Sequence, residues 1–314
     1  MSAINTTPAR ARDEVRRKSV FRNPTVRRWM LGYALVAPVV LWRLATSIYP
    51  FIYTAYLSFF EDSPIGQVHE FIGFDNYVQM VRDPDVHDTI GFTIFFTLTS
   101  VGLQIVLGLG IAELLTRPFR GRSLARAVNL LPWAMAPIVI GTAATWIFNQ
   151  DYGLINDIIW RITGARPLWL IHPTSARFAV TLTDVWKNTA FLAVIFIAGL
   201  QGISRELYEA ARIDGASAIA TFRYITLPLM MPLIISIGIF AAVYRVTSFE
   251  IVYALTQGGP GTATALMSYL VYLNGFRVLD FGYAAALSMG LCLMVLIVGL
   301  VGFALLRRSW TRST

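Results

Sequence analysis

The sequence predicts an all-α, polytopic membrane protein with six transmembrane helices and both termini in the cytoplasm. Three observations predict it: 56% of the residues are hydrophobic, only 14% of the 314 residues are charged, and long apolar runs recur along the chain. A soluble domain carries about 25% charged residues. Apolar runs of about 20 residues are long enough to cross the hydrocarbon core of a bilayer.

Six apolar runs have the length that a transmembrane helix needs. The first begins near Met30 and is too long for the apolar part of a cleaved signal peptide, so we expect it to be retained. The predicted runs are Met30–Pro50 with apolar sequence continuing to Phe60, Thr89–Leu115, Val128–Phe148, Phe178–Leu200, Leu229–Leu255 and Tyr283–Leu306.

Basic residues are concentrated at the two termini and in every second connection between the predicted spans. Of the 26 Lys and Arg residues, 18 lie in the N-terminal arm 1–28, in the connections after spans two and four, and in the C-terminal tail. The first loop on the other side is acidic. Because cytoplasmic loops are enriched in Lys and Arg, both termini are predicted to lie in the cytoplasm. The net charge of +8 is explained by these basic loops, which can bind anionic lipid headgroups. No nucleic-acid partner is therefore predicted.

Cysteine and histidine are sparse. Cys292 is the only cysteine, which excludes an intrachain disulfide. The three histidines, His69, His87 and His172, are scattered and fit no metal-ligand spacing, so no metal site is predicted.

The connection between predicted spans four and five, residues 201–228, has the pattern of a short amphipathic helix. Ser204 can cap its start, and Gly215 can end it with a positive φ. Periodicity alone is equally compatible with helices that rest on lipid headgroups. One predicted face contains Leu207, Ala210, Ala211 and Asp214, where two alanines allow close approach of another surface. A second short helix is predicted over roughly Ala216–Tyr224.

The amino-acid sequence of this loop contains a known motif. Glu209-Ala210-Ala211, Gly215, Ile225 and Leu227-Pro228 match the EAA---G---------I-LP signature. By this motif the chain resembles the membrane subunits of binding-protein-dependent ATP-binding-cassette (ABC) importers. The segments Phe71–Tyr77, Trp186–Thr189 and Leu255–Pro260 resemble the carbohydrate branch of that family, which includes maltose-, trehalose- and glycerol-3-phosphate-type permeases.

The resemblance implies a type I ABC importer fold and a division of labour among subunits. The permease domain would be residues 29–314, following the basic arm 1–28, with residues 201–228 as the coupling loop. Its helix would dock in a cleft of an ATPase, where Glu209 meets a basic residue and Gly215 makes the turn. The chain has no GxxxxGK[ST] phosphate loop, so ATP and Mg²⁺ would be bound by the partner ATPase and this chain would hold no cofactor.

The implied assembly contains a second homologous permease subunit, two ATPase subunits and an extracytoplasmic solute-binding protein. The implied location is the bacterial inner membrane. The implied function is transport of a sugar, a polyol or a glycerol-phosphate-like solute by alternating access, with no enzymatic step in this chain.

Polar residues inside the predicted spans are candidates for the substrate path. Insertion of a charged side chain into the hydrocarbon core costs about 2.5–3.5 kcal/mol of free energy. Charged residues in a span are therefore expected to have a structural or functional role. Asp184 and Lys187 are spaced i, i+3 and could pair with each other, or such charges could hold helices together across subunits. Resemblance to the maltose-type permease favours a substrate path instead. The candidates are Asp184, Lys187, Asn188, Phe191, Arg245, Thr247, Ser248 and Glu250.

Two other classes of function remain open at the level of sequence. A secondary transporter or channel usually shows internal repeats or broken helices around an ion site, and neither is evident. A membrane enzyme would need an intramembrane cluster with catalytic spacing, and none is evident.

Overall fold

The computed structural model describes residues 24–310. Most of the predicted basic arm, residues 1–23, and the end of the tail, residues 311–314, lie outside this range. The described residues divide into two compact units, with the boundary between Tyr56 and Leu57. Helices dominate the described part, which confirms the predicted helical class, with one small two-stranded sheet added.

Within residues 24–310, five helices are long and apolar enough to cross a membrane, and the count rises to six if one bent helix pair is a single span. Five of the predicted spans are thus confirmed as long apolar helices, and the third is a bent pair. We number them as span 1 (Arg28–Leu57), span 2 (Pro84–Thr116), span 3 (Arg122–Ala134 with Pro137–Ile147), span 4 (Pro173–Gln201), span 5 (Ala218–Val246) and span 6 (Phe281–Arg307).

Spans 1 and 5 each contain a π-helical turn. Span 1 lies within the helices Pro24–Arg43 and Tyr49–Leu57 and the turn Leu44–Ile48 between them. Span 5 comprises Ala218–Thr221, the turn Phe222–Thr226 and the helix Leu227–Val246. Span 6 is part of the helix Phe281–Trp310.

The second short loop helix was predicted as a separate element ending before Pro228, and that prediction is wrong. Residues 218–246 instead form one continuous helical run. Pro228 has no N–H to donate, and the wider turn Phe222–Thr226 lies directly before it. A π turn accommodates this loss without ending the helix.

The connection from span 1 to span 2 contains the sheet. Strands β1 (Phe60–Ser63) and β2 (Val68–Phe71) pair antiparallel, with Phe60 opposite Phe71. The helix Asp75–Arg82 follows. Asp83 then caps span 2, because its side chain accepts the N–H of Asp85 at 2.9 Å.

Span 3 is bent by 93° between its two helices. The bend falls at residues 135–136, where the backbone is extended, and Pro137 begins the second helix. The residue before a proline is disfavoured from helical dihedrals, which explains the position of the break. The predicted run Val128–Phe148 thus falls on a bent pair of helices, which corrects the expectation from sequence that no helix is broken.

Span 5 ends nine residues earlier than predicted. Its helix stops at Val246, and a separate helix, Glu250–Leu255, follows a three-residue break at 247–249. The hydroxyl of Thr247 turns back to the carbonyls of Val243 and Tyr244, both at 3.3 Å. Such side-chain bonds compete with continuation of the helix.

Shorter helices complete the chain. They are Leu154–Thr163 between spans 3 and 4, Arg205–Ile213 between spans 4 and 5, and Met267–Tyr272 with the π turn Leu273–Val278 before span 6.

Spans 2 and 4 pack along each other at the centre of the second unit. One apolar cluster lies around Phe92, Phe96 and Val180, where the helix Glu250–Leu255 also packs. A second cluster lies towards the coupling-loop end, around Leu109 and Phe196. Between these clusters, the same two spans carry buried polar side chains.

Candidate functional site

A cavity of about 190 Å³, lined by both polar and apolar side chains, lies between spans 2, 3, 4 and 5. Seven of the eight predicted path residues line it, so residues far apart in sequence meet at one site. Those seven are Asp184, Lys187, Asn188, Phe191, Arg245, Ser248 and Glu250. Thr247 is exposed and does not line the cavity.

Asp184 is the centre of a buried network that joins three spans. Its carboxylate forms an ion pair with the guanidinium of Arg245, and both side chains are buried. The amide of Gln104 donates to Asp184 Oδ2 at 2.8 Å, and the amide of Asn188 donates to Oδ1 at 3.0 Å. Three donors thus stabilise one carboxylate in a low-dielectric setting, as a buried charge requires.

Lys187 does not pair with Asp184. Its ammonium instead donates to the backbone carbonyl of Trp133 at 3.0 Å. The residue four positions after Trp133 is Pro137, which has no N–H, so this carbonyl has no helical donor. Lys187 therefore supplies the hydrogen bond that the bend in span 3 removes.

An aromatic pair forms part of the wall. Phe191 stacks on Trp133 with ring centroids 5.0 Å apart and an interplanar angle of 15°. Both rings line the cavity. Phe191, one of the predicted path residues, thus already has a ring on one face in this structure.

The break after span 5 brings polar groups to the cavity. The hydroxyl of Ser268 donates to the carbonyl of Ser248, which holds the break against the helix Met267–Tyr272. Glu250 begins the next helix and remains exposed. A broken helix with polar backbone at membrane depth is tolerated where it borders a cavity.

Sequence reasoning missed Gln104, Trp133 and Tyr244, which also line the cavity. Gln104 is an uncharged amide in the middle of span 2. A single amide side chain in an apolar run is unusual enough to have indicated it as a candidate. The aromatic residues gave no such signal, since aromatic side chains are common in membrane spans.

The coupling loop has the predicted start and end. Ser204 Oγ accepts the N–H of Glu206 at 3.3 Å, at the start of the helix Arg205–Ile213. Gly215 has a φ of +75°, and its N–H donates to the carbonyl of Arg212. The next N–H, of Ala216, donates to the carbonyl of Ala211 at 2.9 Å. These two bonds form a Schellman motif, which requires the left-handed conformation that glycine provides.

The predicted alanine strip is only partly exposed. Glu209 and Ala210 are exposed, whereas Ala211 is 7% exposed and faces the protein. The predicted pair of accessible alanines is therefore corrected to Ala210 alone. Ile213, 86% exposed, was not predicted and presents a large apolar side chain at the tip.

The loop helix is bonded to the base of span 5. The hydroxyls of Tyr208 and Thr226 are 3.1 Å apart. Ile225 and Leu227, the apolar motif positions, flank Thr226 and are half-buried, and Pro228 is exposed. The later motif positions thus lie at the junction of the turn Phe222–Thr226 and the helix Leu227–Val246, within the span that carries Arg245.

Among residues 24–310, no group of three His, Cys, Asp or Glu side chains is arranged to hold a metal ion.

Over residues 104–309, which include both the cavity and the loop, the chain matches the family described as "binding-protein-dependent transport system inner membrane component". The chain belongs to this family of ABC importer permease subunits, whose ATPase is a separate subunit. Membership decides against the secondary transporter or channel.

Particular relatives are carbohydrate-related permeases. The chain is 38% identical over 272 residues to the sulfoquinovosyl glycerol transport system permease protein of Agrobacterium fabrum, covering 84% of this chain and 88% of that protein. It is 38% identical over 269 residues to the trehalose/maltose transport system permease protein of Thermococcus litoralis, covering 85% and 90%. It is 31% identical to an sn-glycerol-3-phosphate transport system permease protein of Pectobacterium atrosepticum, covering 91% and 97%.

A solved structure has the same fold. A bacterial ABC transporter involved in the import of the acidic polysaccharide alginate contains a chain with a TM-score of 0.77 and 23% identity, covering 90% of this chain and 97% of that chain. This likeness confirms the polytopic helical fold of an ABC importer permease.

Proposed function

We propose that this chain passes a sugar or a sugar-like polyol across the inner membrane by alternating access, powered by a separate ATPase. The observation that carries the proposal is the cavity between spans 2, 3, 4 and 5, which contains polar and charged side chains, in a chain whose relatives are permeases for sugars or glycerol phosphate. The cavity combines hydroxyl, amide and charged groups with an aromatic wall. Such a combination suits a solute rich in hydroxyl groups.

The volume of the cavity favours a shared path. At about 190 Å³ it is smaller than the roughly 300–1,000 Å³ typical of small-molecule sites. A second, homologous permease subunit would complete the path, and the solute would be delivered by an extracytoplasmic solute-binding protein. Selectivity for the solute would then depend on the binding protein and on the cavity residues that each of the two permease subunits contributes.

The coupling loop supports docking to an ATPase. The exposed face of the helix Arg205–Ile213 offers Glu209 for a basic partner, Ala210 for close approach and Ile213 for an apolar pocket. The Tyr208–Thr226 contact joins this helix to span 5. Closure of two ATPase subunits around ATP and Mg²⁺ would therefore move span 5 and the wall of the cavity as one rigid element.

The charge pattern supports a cytoplasmic location for both termini and for the coupling loop. In this arrangement the basic arm 1–28 anchors the permease domain 29–314 at the inner leaflet, and β1 and β2 lie outside. The loop at residues 201–228 then faces the ATPase, as coupling requires.

ATP-driven uptake in proteoliposomes tests this function. The full importer, with its partner permease, ATPase and binding protein, is assayed for uptake of labelled trehalose, maltose and sn-glycerol 3-phosphate. We expect uptake of at least one of them with ATP inside. We expect Glu209→Lys and Gly215→Val to lower it at least about tenfold, the equivalent of about 1.4 kcal/mol, because they reverse a docking charge and strain a positive-φ turn.

The controls separate coupling from folding. Gly215→Asn tolerates a positive φ and should retain more uptake than Gly215→Val. Co-purification of all subunits reports assembly. Undiminished uptake by the correctly assembled Glu209→Lys and Gly215→Val importers would exclude the assigned role of the loop.

A further inference from the structure

Lys187 is a buried cation in the wall of the cavity without an acidic partner. It is 5% exposed, and it makes no ion pair with any residue of the described range 24–310. An ammonium has three N–H bonds, and one of them is used by the Trp133 carbonyl. A lysine in this setting is costly unless an anion or water reaches it.

Two further side chains of the cavity lining each have a buried polar atom without a hydrogen-bond partner among the described residues. Arg245 is 5% exposed, and its Nε has no partner among the described residues, although its terminal nitrogen holds Asp184. Gln104 is fully buried, and its Oε1 also has no partner within residues 24–310. Both side chains line the cavity with Lys187. Buried polar atoms normally have partners, so this arrangement points to a polar ligand.

Neither carboxylate of the cavity forms an ion pair with Lys187, although both interact with its charge at longer range. Asp184 already accepts from Arg245, Gln104 and Asn188. Glu250, the other carboxylate of the lining, is exposed and forms no ion pair with Lys187. With Asp184 and Arg245 paired, the cavity presents one free cation and one free carboxylate.

We propose that the cavity selects a sugar or polyol with an anionic substituent, such as a carboxylate, phosphate or sulfonate, and that Lys187 binds this substituent. This inference rests on the proposed function and narrows its substrate class. Arg245 and Gln104 line the same cavity and carry the unpartnered Nε–H and Oε1 atoms, and the exposed Glu250 can accept from sugar hydroxyls. Charge-assisted hydrogen bonds of this kind are about twice as strong as neutral ones.

Matched sugar pairs test the charge requirement. ATP-driven uptake by the complete reconstituted importer is measured for maltose and maltobionate, trehalose and trehalose 6-phosphate, and glycerol and sn-glycerol 3-phosphate. We expect the anionic member of a pair to be taken up in preference to its neutral partner. We expect Lys187→Met to lower anion uptake about tenfold, and Lys187→Arg to retain most of it, since only the latter keeps the charge.

Arg161→Met is the matched control, because it removes an exposed cation on the helix Leu154–Thr163, outside the cavity. Its uptake should equal that of the wild type. Preference for the neutral members, or anion uptake unchanged in Lys187→Met, would overturn the role of Lys187 and leave the proposed sugar import standing. Uptake of none of the six solutes would count against the proposed function itself.

Discussion

The ion pair between Asp184 and Arg245 ties span 4 to the end of span 5 at the wall of the cavity. A buried pair contributes little net stability, because desolvation offsets the attraction between its charges. Removing one partner is different, since it leaves the other charge buried and unpaired. The pair is therefore better understood as a positional constraint on two spans than as a source of stability.

At the residue scale we predict that Asp184→Asn lowers the free energy of unfolding by about 3–5 kcal/mol, because Arg245 is left buried without a counter-charge. The double variant Asp184→Asn/Arg245→Gln should recover most of the loss. Unfolding by a denaturing detergent, followed by circular dichroism, measures both.

An exposed ion pair provides the comparison. Asp157 and Arg161 are 2.9 Å apart on the helix Leu154–Thr163, where both side chains are exposed. Asp157→Asn should cost under about 1 kcal/mol, because solvent screens this pair. Equal losses for the two single variants would contradict the assigned burial of Asp184.

At the element scale, the bend in span 3 and the break after span 5 belong to one arrangement. The second helix of span 3 packs directly on the helix Glu250–Leu255. Gly141 permits this approach: a Cβ added there would lie 2.6 Å from the Cβ of Ala254 and 3.2 Å from the carbonyl oxygen of Ile251. The two irregular elements thus support each other beside the cavity.

We predict that Gly141→Ala destabilises the protein by about 1–3 kcal/mol through overpacking of these two helices. Gly110→Ala is the matched control, since a Cβ at Gly110 in span 2 meets no atom within 4 Å. That change should be neutral or stabilising by up to about 1 kcal/mol, because alanine favours helix. The same detergent unfolding measures both variants, and a stable Gly141→Ala protein would refute the close contact.

At the scale of the whole molecule, the charge distribution and the order of the spans determine which loops share a side of the membrane. The connection after span 2 and the coupling loop lie on the basic side, and the sheet of β1 and β2 lies on the acidic side. The proposed docking to an ATPase requires the basic side to be cytoplasmic.

We predict that a membrane-impermeant maleimide added to intact cells labels Glu70→Cys on β2 and spares Arg120→Cys after span 2. Both changes are made in a Cys292→Ser background, which removes the single native thiol. Both positions are exposed, so accessibility within the protein is matched. Labelling of both after membrane permeabilisation is the control, and labelling of Arg120→Cys alone in intact cells would reverse the orientation.

The positions of the long apolar runs, the predicted side preferences of the loops and the turn at Gly215 follow from the sequence alone. Each depends on local properties: apolar length, loop charge and the left-handed conformation at a helix end. The match of the EAA motif further identified the family, because its spacing is itself a local pattern. The four charged path candidates, Asp184, Lys187, Arg245 and Glu250, were conspicuous as charges in apolar runs, whereas the uncharged four came from the resemblance to the maltose-type permease.

Only the tertiary structure decided how those residues pair. Lys187, three positions from Asp184, bonds to Trp133, whereas Asp184 pairs with Arg245, 61 residues away, and Gln104 joins from 80 residues away. The bend in span 3 and the break after Val246 likewise depend on packing between helices and on bonds such as that of Ser268 to Ser248. The physical reason is that a buried charge takes its partner from whichever helix packs against it, and helix packing is a property of the assembled bundle.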